Sequence, residues 1–418
     1  MRGGPVTKAR PHFAGGASSR YLLLGAAVFL TLYGLVMIYS ASFVTAAVKE
    51  GASWHFFVRQ LAFIALGSGI AWLIARRDYR HLDSEAVMIW GGGIVLLVAT
   101  LIIGSVRNGA KRWIPLGLFN LQPSELAKLA CIVLVASLAV QWSRGRLDTK
   151  TFLLRALIAT GVPAALIMLQ PDLGTTVTLV AAVAMVLILA GIDWRWVAAS
   201  AAGAAVLGAL MIVAEPYRMK RVLAFADPWA DAQGKGYQII QALLAFGTGG
   251  IDGVGLGLSR QKFFYLPEAH TDFILAIVGE EAGLIGTLAL LGGIAVFTLA
   301  GFRIALGARD RFGMLVAGAL SGTFALQSVL NMAAVTGMMP ITGKPLPFVS
   351  YGGSSMIVTM MLLGLLLSVS RYGACAPRAV RPRKGSKESV VENHRERRGN
   401  GRPHPPRAER GRPARRRA

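Results

Sequence analysis

The chain has 418 residues, of which 54% are apolar and 16% are charged, and its formal net charge is +23. Its mean hydropathy is +0.54, and the apolar residues form long runs instead of recurring at amphipathic intervals. This composition excludes an ordinary soluble globular domain. The two cysteines, Cys131 in an apolar run and Cys375 beside a basic tail, are too few for a disulfide framework or a thiolate metal site.

Runs of about 20 apolar residues, the length that crosses a bilayer as a helix, recur from Tyr21 almost to Tyr372. They predict an all-α polytopic membrane protein with about ten transmembrane helices. The predicted spans lie near 21–45, 56–75, 86–104, 124–142, 152–170, 172–191, 196–214, 271–302, 313–339 and 351–371. A basic segment, residues 1–20, precedes the first span without a small-residue cleavage site, so we expect a retained helix and not a signal peptide.

The basic residues of the short loops orient these spans. They follow spans two, four and eight, on the same side as the N-terminal segment: Arg76, Arg77, Arg80, Arg144, Arg146, Lys150, Arg303, Arg309 and Arg311. Because positive loops stay inside, we expect both termini to be cytoplasmic, with a large outer loop at 215–270. Span eight exceeds the thickness of a bilayer, which tilt or an outward extension could absorb.

A basic tail, residues 373–418, follows the last span. After Pro377 it has fifteen Lys and Arg against four Glu and very few apolar residues, so we predict a disordered cytoplasmic segment. It could lie on anionic membrane lipids or dock a cytoplasmic partner. Nucleic acid is not indicated, because no zinc-ligand spacing, phosphate-binding glycine loop or aromatic RNA-binding signature is found.

Two loops on the predicted outer side carry positive charge that opposes the orientation rule. Arg107, Lys111 and Arg112 lie in SVRNGAKRWIPLG, between spans three and four. The larger loop contains Arg218, Lys220, Arg221, Lys235, Arg260 and Lys262. Long loops translocate regardless of charge, but an anion such as a lipid pyrophosphate would also explain these residues.

Charged residues at two helix starts are the next signal, because a charge in hydrocarbon must be paired or face a wet cavity. In LQPSELAKLA, Glu125 and Lys128 share one face of a helix begun by Pro123, which indicates either an internal ion pair or a role with substrate. In LQPDLGTT, Asp172 is expected chiefly to cap the following helix.

The densest acidic group is in FFYLPEAHTDFILAIVGEEAGLIG, where Glu268, His270 and Asp272 precede Glu280 and Glu281. A helix begun at Thr271 would place Asp272 at the head of a stripe of small residues: Ala276, Gly279, Gly283 and Gly286. That face would either pack closely on another helix or border a cavity. A carboxylate at a helix N-terminus is ordinarily only stabilised by the helix dipole, but at the mouth of a cavity, partly desolvated, its pKa would rise toward a value useful to a general base.

A last signal is the proline-rich outer loop ITGKPLPFVSYGGSS. Lys344 in this loop could bind phosphate or simply extend its ammonium toward the membrane surface.

These motifs together carry a resemblance. RWIPLG with QPSELAK, the QPDLGT run, DPWADAQGKGYQIIQALLAFGTGG, LPEAHTDFILAIVGEE and PLPFVSYGGSS, in this order and spacing, resemble the SEDS family of bacterial shape, elongation, division and sporulation proteins. AHTDFILAIVGEE and the basic tail resemble the division branch more than the elongation branch.

The resemblance implies a peptidoglycan glycosyltransferase that polymerises lipid II at the outer face of the cytoplasmic membrane. It maps the family's essential carboxylate onto Asp272 and its basic site residues onto Arg112, Lys128 and Lys344. Glu268 and His270 would then tune the site. It also implies an undecaprenyl pyrophosphate leaving group, a class B penicillin-binding transpeptidase as partner, division-complex proteins as neighbours, and a contact of the basic tail with FtsZ.

Two other functions compete with this interpretation. A lipid II flippase would also use cavity-facing charges and broken helices, but it needs no base and should show inverted repeats. A scaffold for the transpeptidase would leave the intramembrane charges unused. A divalent cation, Mg²⁺ or Mn²⁺, could help neutralise pyrophosphate, although no ligand cluster in the sequence requires one.

Overall fold

The computed structural model describes residues 16–107, 110–117, 120–213, 219, 224–234 and 236–373. Ten helices of 18 or more residues follow the predicted spans in order. They are α1 (Gly16–Lys49), α2 (His55–Arg76), α3 (His81–Ile103), α4 (Pro123–Ser143), α5 (Thr149–Leu169), α6 (Leu173–Ala190), α7 (Trp194–Val213), α9 (Ile274–Leu306), α10 (Arg311–Val335) and α11 (Gly353–Tyr372), with the shorter α8 (Tyr237–Gly249) between α7 and α9. Within the described residues, nine of these are long and apolar enough to cross a membrane. The prediction of a helical multi-span protein is thus confirmed.

Local sequence sets where several helices begin. Pro123 opens α4, where its missing N–H costs no helical hydrogen bond. Asp148, Asp172 and Asp310 cap α5, α6 and α10 by accepting hydrogen bonds from backbone N–H groups three residues further on. The capping role expected for Asp172 is therefore present.

The core of the molecule lies around α4, α10 and α11, which are buried over most of their length. Helices α2 and α3 expose most of theirs, and that apolar surface suits contact with lipid. A cluster of three phenylalanines, Phe297 of α9, Phe324 of α10 and Phe348 of the loop before α11, joins the core helices, with ring centroids 4.2–5.8 Å apart.

Two features of the predicted outer side differ from the helices and loops expected from the sequence. Between α3 and α4 the chain forms a small antiparallel sheet of β1 (Ser105–Arg107), β2 (Ala110–Pro115) and β3 (Asn120–Leu121), in that order. The predicted outer loop contains a 3-10 turn, Pro228–Asp231, and α8, which packs on α9. Arg218, Lys220, Arg221 and Lys235 of that loop lie outside the described residues, as does the tail beyond residue 373.

Span eight begins later than predicted and is broken. Helix α9 begins at Ile274, so Asp272 lies in the turn before it, and Gly283 interrupts it with φ 62° and ψ −161°. The expected continuous stripe of small residues is therefore wrong beyond Gly279. The part after the break, residues 284–306, is about 34 Å long and can span a bilayer alone.

The ends of α2, α10 and α11 on the predicted inner side are tied together. The Tyr79 hydroxyl donates to Asp310, the Tyr372 hydroxyl donates to the carbonyl of Arg76 at 2.6 Å, and Ser368 Oγ donates to the carbonyl of Arg77 at 2.6 Å. The last described residues are thereby fixed to the helix bundle.

Candidate active site

The starts of α4 and α6 and the loop before α11 bring four charged side chains into one buried network. Lys344 Nζ lies 3.3 Å from Glu125 Oε1 and 3.5 Å from Asp172 Oδ2, and it donates to Thr175 Oγ1. Lys128 Nζ lies 2.8 Å from Glu125 Oε2. Each of these four charged residues is at most 4% exposed. We call Glu125, Lys128, Asp172 and Lys344 the central network.

Neutral groups complete the hydrogen bonds of the central network. Gln327 Oε1 accepts from Lys128 at 2.9 Å, and Gln122 Nε2 donates to Asp172 Oδ2 at 3.1 Å. Close approach of the elements is possible because residue 174 is glycine, where a Cβ would lie 2.6 Å from the carbonyl oxygen of Thr342. The buried charges are thus paired and hydrogen-bonded, as burial requires.

The network fixes the charge states of its members outside the spans. Burial alone would raise the pKa of Asp172, but Lys344 and Arg112 outweigh burial and lower the pKa to about 2. Burial would likewise lower the pKa of Lys344, but Asp172 and Glu125 outweigh it and raise that pKa above its ordinary value. Both groups are therefore charged at neutral pH.

Arg112 lies at the edge of the central network and differs from the two lysines. Its guanidinium is partly exposed, and within the described residues it donates to two backbone carbonyls, those of Gln170 (3.1 Å) and Pro171. Neither acceptor is charged. The two lysines of the central network balance Glu125 and Asp172, so the positive charge of Arg112 is additional to that network.

Asp272 lies beside the same loop. Asn331 Nδ2 of α10 donates to the backbone carbonyl of Asp272 at 2.8 Å and to that of Lys344 at 2.7 Å, so one side chain holds both segments. A Cβ at Gly343 would lie 3.7 Å from Asp272 Oδ2. Asp272 is partly exposed, unlike the carboxylates of the central network. The structure therefore places Asp272 beside the loop that carries Lys344, and Lys344 contacts Glu125, which also binds Lys128.

His270 and Glu268 make contacts of a different kind. The His270 ring packs against Phe56 and Tyr351, with centroids 4.8 and 5.6 Å away. Burial holds the pKa of His270 below its ordinary value, against the opposing effect of Glu268, so its imidazole is neutral at pH 7. Glu268 is exposed and accepts from the Thr271 hydroxyl at 2.8 Å. Both residues shape the turn that carries Asp272.

The small-residue face of α9 packs closely and does not border a cavity. A Cβ at Gly279 would lie 2.3 Å from the Phe246 ring of α8, and one at Gly283 would lie 2.4 Å from the backbone of Gly253. Of the two interpretations drawn from sequence, close packing is the one observed for these glycines.

The space beside the central network is small. A cavity of about 20 Å³, lined in part by Glu125, Lys128, Gln327 and Phe324, has room for about one water molecule. A wider groove of about 550 Å³ lies between α1 and α9, but no acidic or basic side chain lines it. Arg112 and Asp272, which border the central network, are both partly exposed.

Sequence reasoning missed Gln122, Thr175, Gln327 and Asn331. The last two were detectable, because Gln327 and Asn331 are polar residues four positions apart within an apolar run and so share one helix face. Within the described residues, no group of three or more His, Cys, Asp or Glu side chains is placed to hold a metal ion.

Comparison with known proteins agrees with this architecture. Residues 20–374 match the FtsW/RodA/SpoVE family, described as cell cycle proteins, and the chain belongs to that family. It is 42% identical over 359 residues to the probable peptidoglycan glycosyltransferase FtsW of Geobacter sulfurreducens, covering 85% of this chain and 96% of that protein. It is 41% identical over 360 residues to the stage V sporulation protein E of Bacillus subtilis, covering 84% and 96%.

Solved structures give the same result for the fold. A chain of a peptidoglycan synthase complex, described as coordinating polymerization and crosslinking, matches with a TM-score of 0.70 and 30% identity, covering 84% of this chain and 97% of that one. The rod shape determining protein RodA of Thermus thermophilus matches with a TM-score of 0.63 and 28% identity, covering 85% and 97%. The protein is thus a multi-pass membrane protein with a RodA-like fold.

Proposed function

We propose that this protein polymerises lipid II into peptidoglycan glycan strands at the outer face of the cytoplasmic membrane. The observation that carries the proposal is that Asp272, a partly exposed carboxylate, and Arg112, a partly exposed cation, each border the same buried charged network. The relatives named peptidoglycan glycosyltransferase supply the reaction class.

The reaction joins two lipid-linked molecules. The Asp272 carboxylate takes the proton of the acceptor sugar hydroxyl, and the hydroxyl oxygen forms a bond to the anomeric carbon of the donor. The bond from that carbon to the pyrophosphate oxygen breaks, and its electron pair leaves with undecaprenyl pyrophosphate. The configuration at the anomeric carbon is inverted.

Arg112 is the group best placed to receive the leaving pyrophosphate. It is exposed enough to reach a ligand, and neutral carbonyls leave its charge available for a bidentate contact with phosphate oxygens. Lys128 and Lys344 are paired with Glu125 and Asp172, so they act on the pyrophosphate by long-range electrostatic attraction. They would contact it directly only if these ion pairs opened. A divalent cation could add to this neutralisation, which titration of the reaction with EDTA and then Mg²⁺ or Mn²⁺ would measure.

The partner and the cellular place follow from the same proposal. A class B penicillin-binding transpeptidase would crosslink the strands as they form, in keeping with the synthase complex that this fold matches. Action at the division septum is supported by the relatives named FtsW. We place the basic tail on the cytoplasmic side, where it would meet anionic lipids or FtsZ.

The test separates polymerisation from transport. Purified protein with its transpeptidase partner is reconstituted in liposomes with fluorescent lipid II, and two products are followed: glycan strands on a gel, and lipid II moved between leaflets. We expect strands from the wild-type protein. Translocation of lipid II without any strands would contradict the proposal and favour a flippase.

A further inference from the structure

A second buried ionic group lies outside the candidate active site and joins three elements of the outer half. Lys262 Nζ is 3.1 Å from Glu281 Oε1 of α9 and donates to the carbonyl of Gly257 at 2.6 Å. Ser40 Oγ of α1 donates to the same carboxylate at 2.6 Å. Lys262 and Glu281 are 4% and 1% exposed. The chemistry proposed above has no use for this pair.

Glu280, the neighbour of Glu281, holds the same loop. Its carboxylate accepts from the backbone N–H of Arg260 at 3.0 Å and of Gln261 at 3.4 Å, and from the Ser259 hydroxyl. Two consecutive carboxylates of α9 thus bind residues 259–262.

The backbone completes this attachment at the break in α9. The carbonyls of Glu280 and Glu281, which lose their helical partners at the break, accept from Val254 N and Gly255 N, both at 3.0 Å. The N–H groups of Leu284 and Ile285, freed by the same break, donate to the carbonyls of Gly250 and Ile251 at 3.0 and 3.2 Å. In a continuous helix these four groups would form two hydrogen bonds with one another, and segment 250–255 instead gives each of the four a partner of its own. We call residues 250–262 with 280–285 the outer clamp.

The outer clamp is connected to Asp272 by a short rigid element. Residues 274–281, the first part of α9, are all buried and begin two positions after Asp272. At the other end of this element, Asn331 holds the backbone of Asp272 beside that of Lys344. A shift of the clamp would therefore move Asp272 relative to the Lys344 loop.

We propose that the Lys262–Glu281 pair is a positioning element that sets Asp272 for proton transfer. The inference rests on the proposed function for the role of Asp272. A buried ion pair is weak evidence for stability, because the cost of desolvating both charges offsets much of their attraction. The hydrogen bonds of the pair to α1 and to residues 257–262 do fix the position of α9 relative to these elements. A general base that is misplaced by about 1 Å loses much of its effect on the rate.

The test uses variants that leave no unpaired buried charge. In Lys262→Met/Glu281→Gln both charges are removed together, and in Lys262→Arg the charge stays while the contact geometry changes. Lys150→Met, an exposed basic residue, is the matched control. Rates of strand formation are measured over a range of lipid II concentrations, with thermal unfolding in detergent as the check of folding.

A distance measurement accompanies the kinetics and does not depend on activity. Spin labels at Tyr265→Cys and Leu116→Cys, both more than 50% exposed, report the distance between the segment that joins the outer clamp to Asp272 and the β2–β3 hairpin in a Cys375→Ser background. The remaining Cys131 is fully buried.

We expect kcat of the double variant to fall at least tenfold with KM within twofold of wild type, and the distance distribution to broaden. The kcat of Lys262→Arg should lie between those of the wild type and the double variant. The kcat of Lys150→Met should equal that of the wild type. Wild-type kcat with an unchanged distance distribution in a folded double variant would overturn the proposal. If the double variant does not fold, wild-type kcat in Lys262→Arg overturns it. A wild-type protein that makes no strands would instead contradict the proposed function, while the distance arm still tests the clamp.

Discussion

Glu125 is shared by two buried lysines, and this sharing decides what its loss would do. Lys128 and Lys344 both lie within 3.3 Å of its oxygens, whereas Lys344 has a second carboxylate in Asp172. Glu125 therefore neutralises buried charge in the folded protein, whether or not it also contacts substrate.

We predict that Glu125→Leu lowers the free energy of unfolding by about 3–5 kcal/mol, because it leaves Lys128 buried without a counter-charge. Glu125→Leu/Lys128→Met removes both charges and should regain most of that loss, since Lys344 keeps Asp172. Denaturation in detergent micelles measures the free energy of unfolding of the single and the double variant. A double variant as unstable as the single one would show that the pair is not the source of the effect.

Arg112, which is partly exposed, and Arg309, which is exposed, allow a comparison of arginines on opposite predicted sides of the membrane. Arg112→Ala should raise KM for lipid II by about 10- to 100-fold, because a hydrogen bond to a charged group contributes about 1.5–3 kcal/mol. Arg309→Ala, on the predicted inner side, should leave KM unchanged. Equal KM values in the two variants would show that Arg112 does not bind the pyrophosphate.

Sequence reasoning found one ion pair of the central network but not the contacts of Lys344. The spacing of Glu125 and Lys128 on one helix face indicated their ion pair, which the structure contains. Which carboxylates neutralise Lys344 depends on how α4, α6 and the loop before α11 meet, and no local pattern encodes that. Asp172 was recognised as a helix cap, and its contact with Lys344 became visible only in the folded molecule.

At the scale of elements, the spans were predictable because hydrocarbon allows only helices or closed barrels to cross it. The break at Gly283 was not, because a glycine within an apolar run is common in membrane helices. What fixes it is the close approach of Gly253 to Gly283, which brings together residues distant in sequence.

Gly283→Ala tests the break directly. A Cβ there would lie 2.4 Å from Gly253 N, on a backbone with φ 62°, so we predict a loss of about 1–3 kcal/mol of unfolding free energy and of most polymerising activity. Gly292→Ala, on the same helix with open space around its Cβ, should change the unfolding free energy by less than about 1 kcal/mol. Equal effects of the two substitutions would show that the break carries no special constraint.

At the scale of the molecule, charge and hydropathy divide the chain into a bundle and a tail. The match to the family spans 20–374 and ends where the basic tail begins. About half of the net charge of +23 lies after Pro377. This division leads us to expect that the helix bundle catalyses the reaction. The tail would direct the protein to anionic membranes or to the division site.

Deleting residues 378–418 should therefore leave strand formation by the purified protein unchanged. It should reduce binding to anionic vesicles and localisation to the division site, and raised salt should mimic the loss on vesicles, because each basic residue contributes only about 1 kcal/mol of screened attraction. Loss of activity in vitro on truncation would place the tail within the catalytic unit.

The central claim is that Asp272 is the base of a glycosyl transfer. The most direct measurement compares wild type with Asp272→Asn for release of undecaprenyl pyrophosphate and growth of glycan strands from labelled lipid II, alongside lipid II binding and thermal unfolding. The account predicts a loss of at least about 100-fold in rate, with binding and unfolding unchanged, because the substitution removes a proton acceptor and little else. An Asp272→Asn protein that makes strands at near the wild-type rate would contradict it.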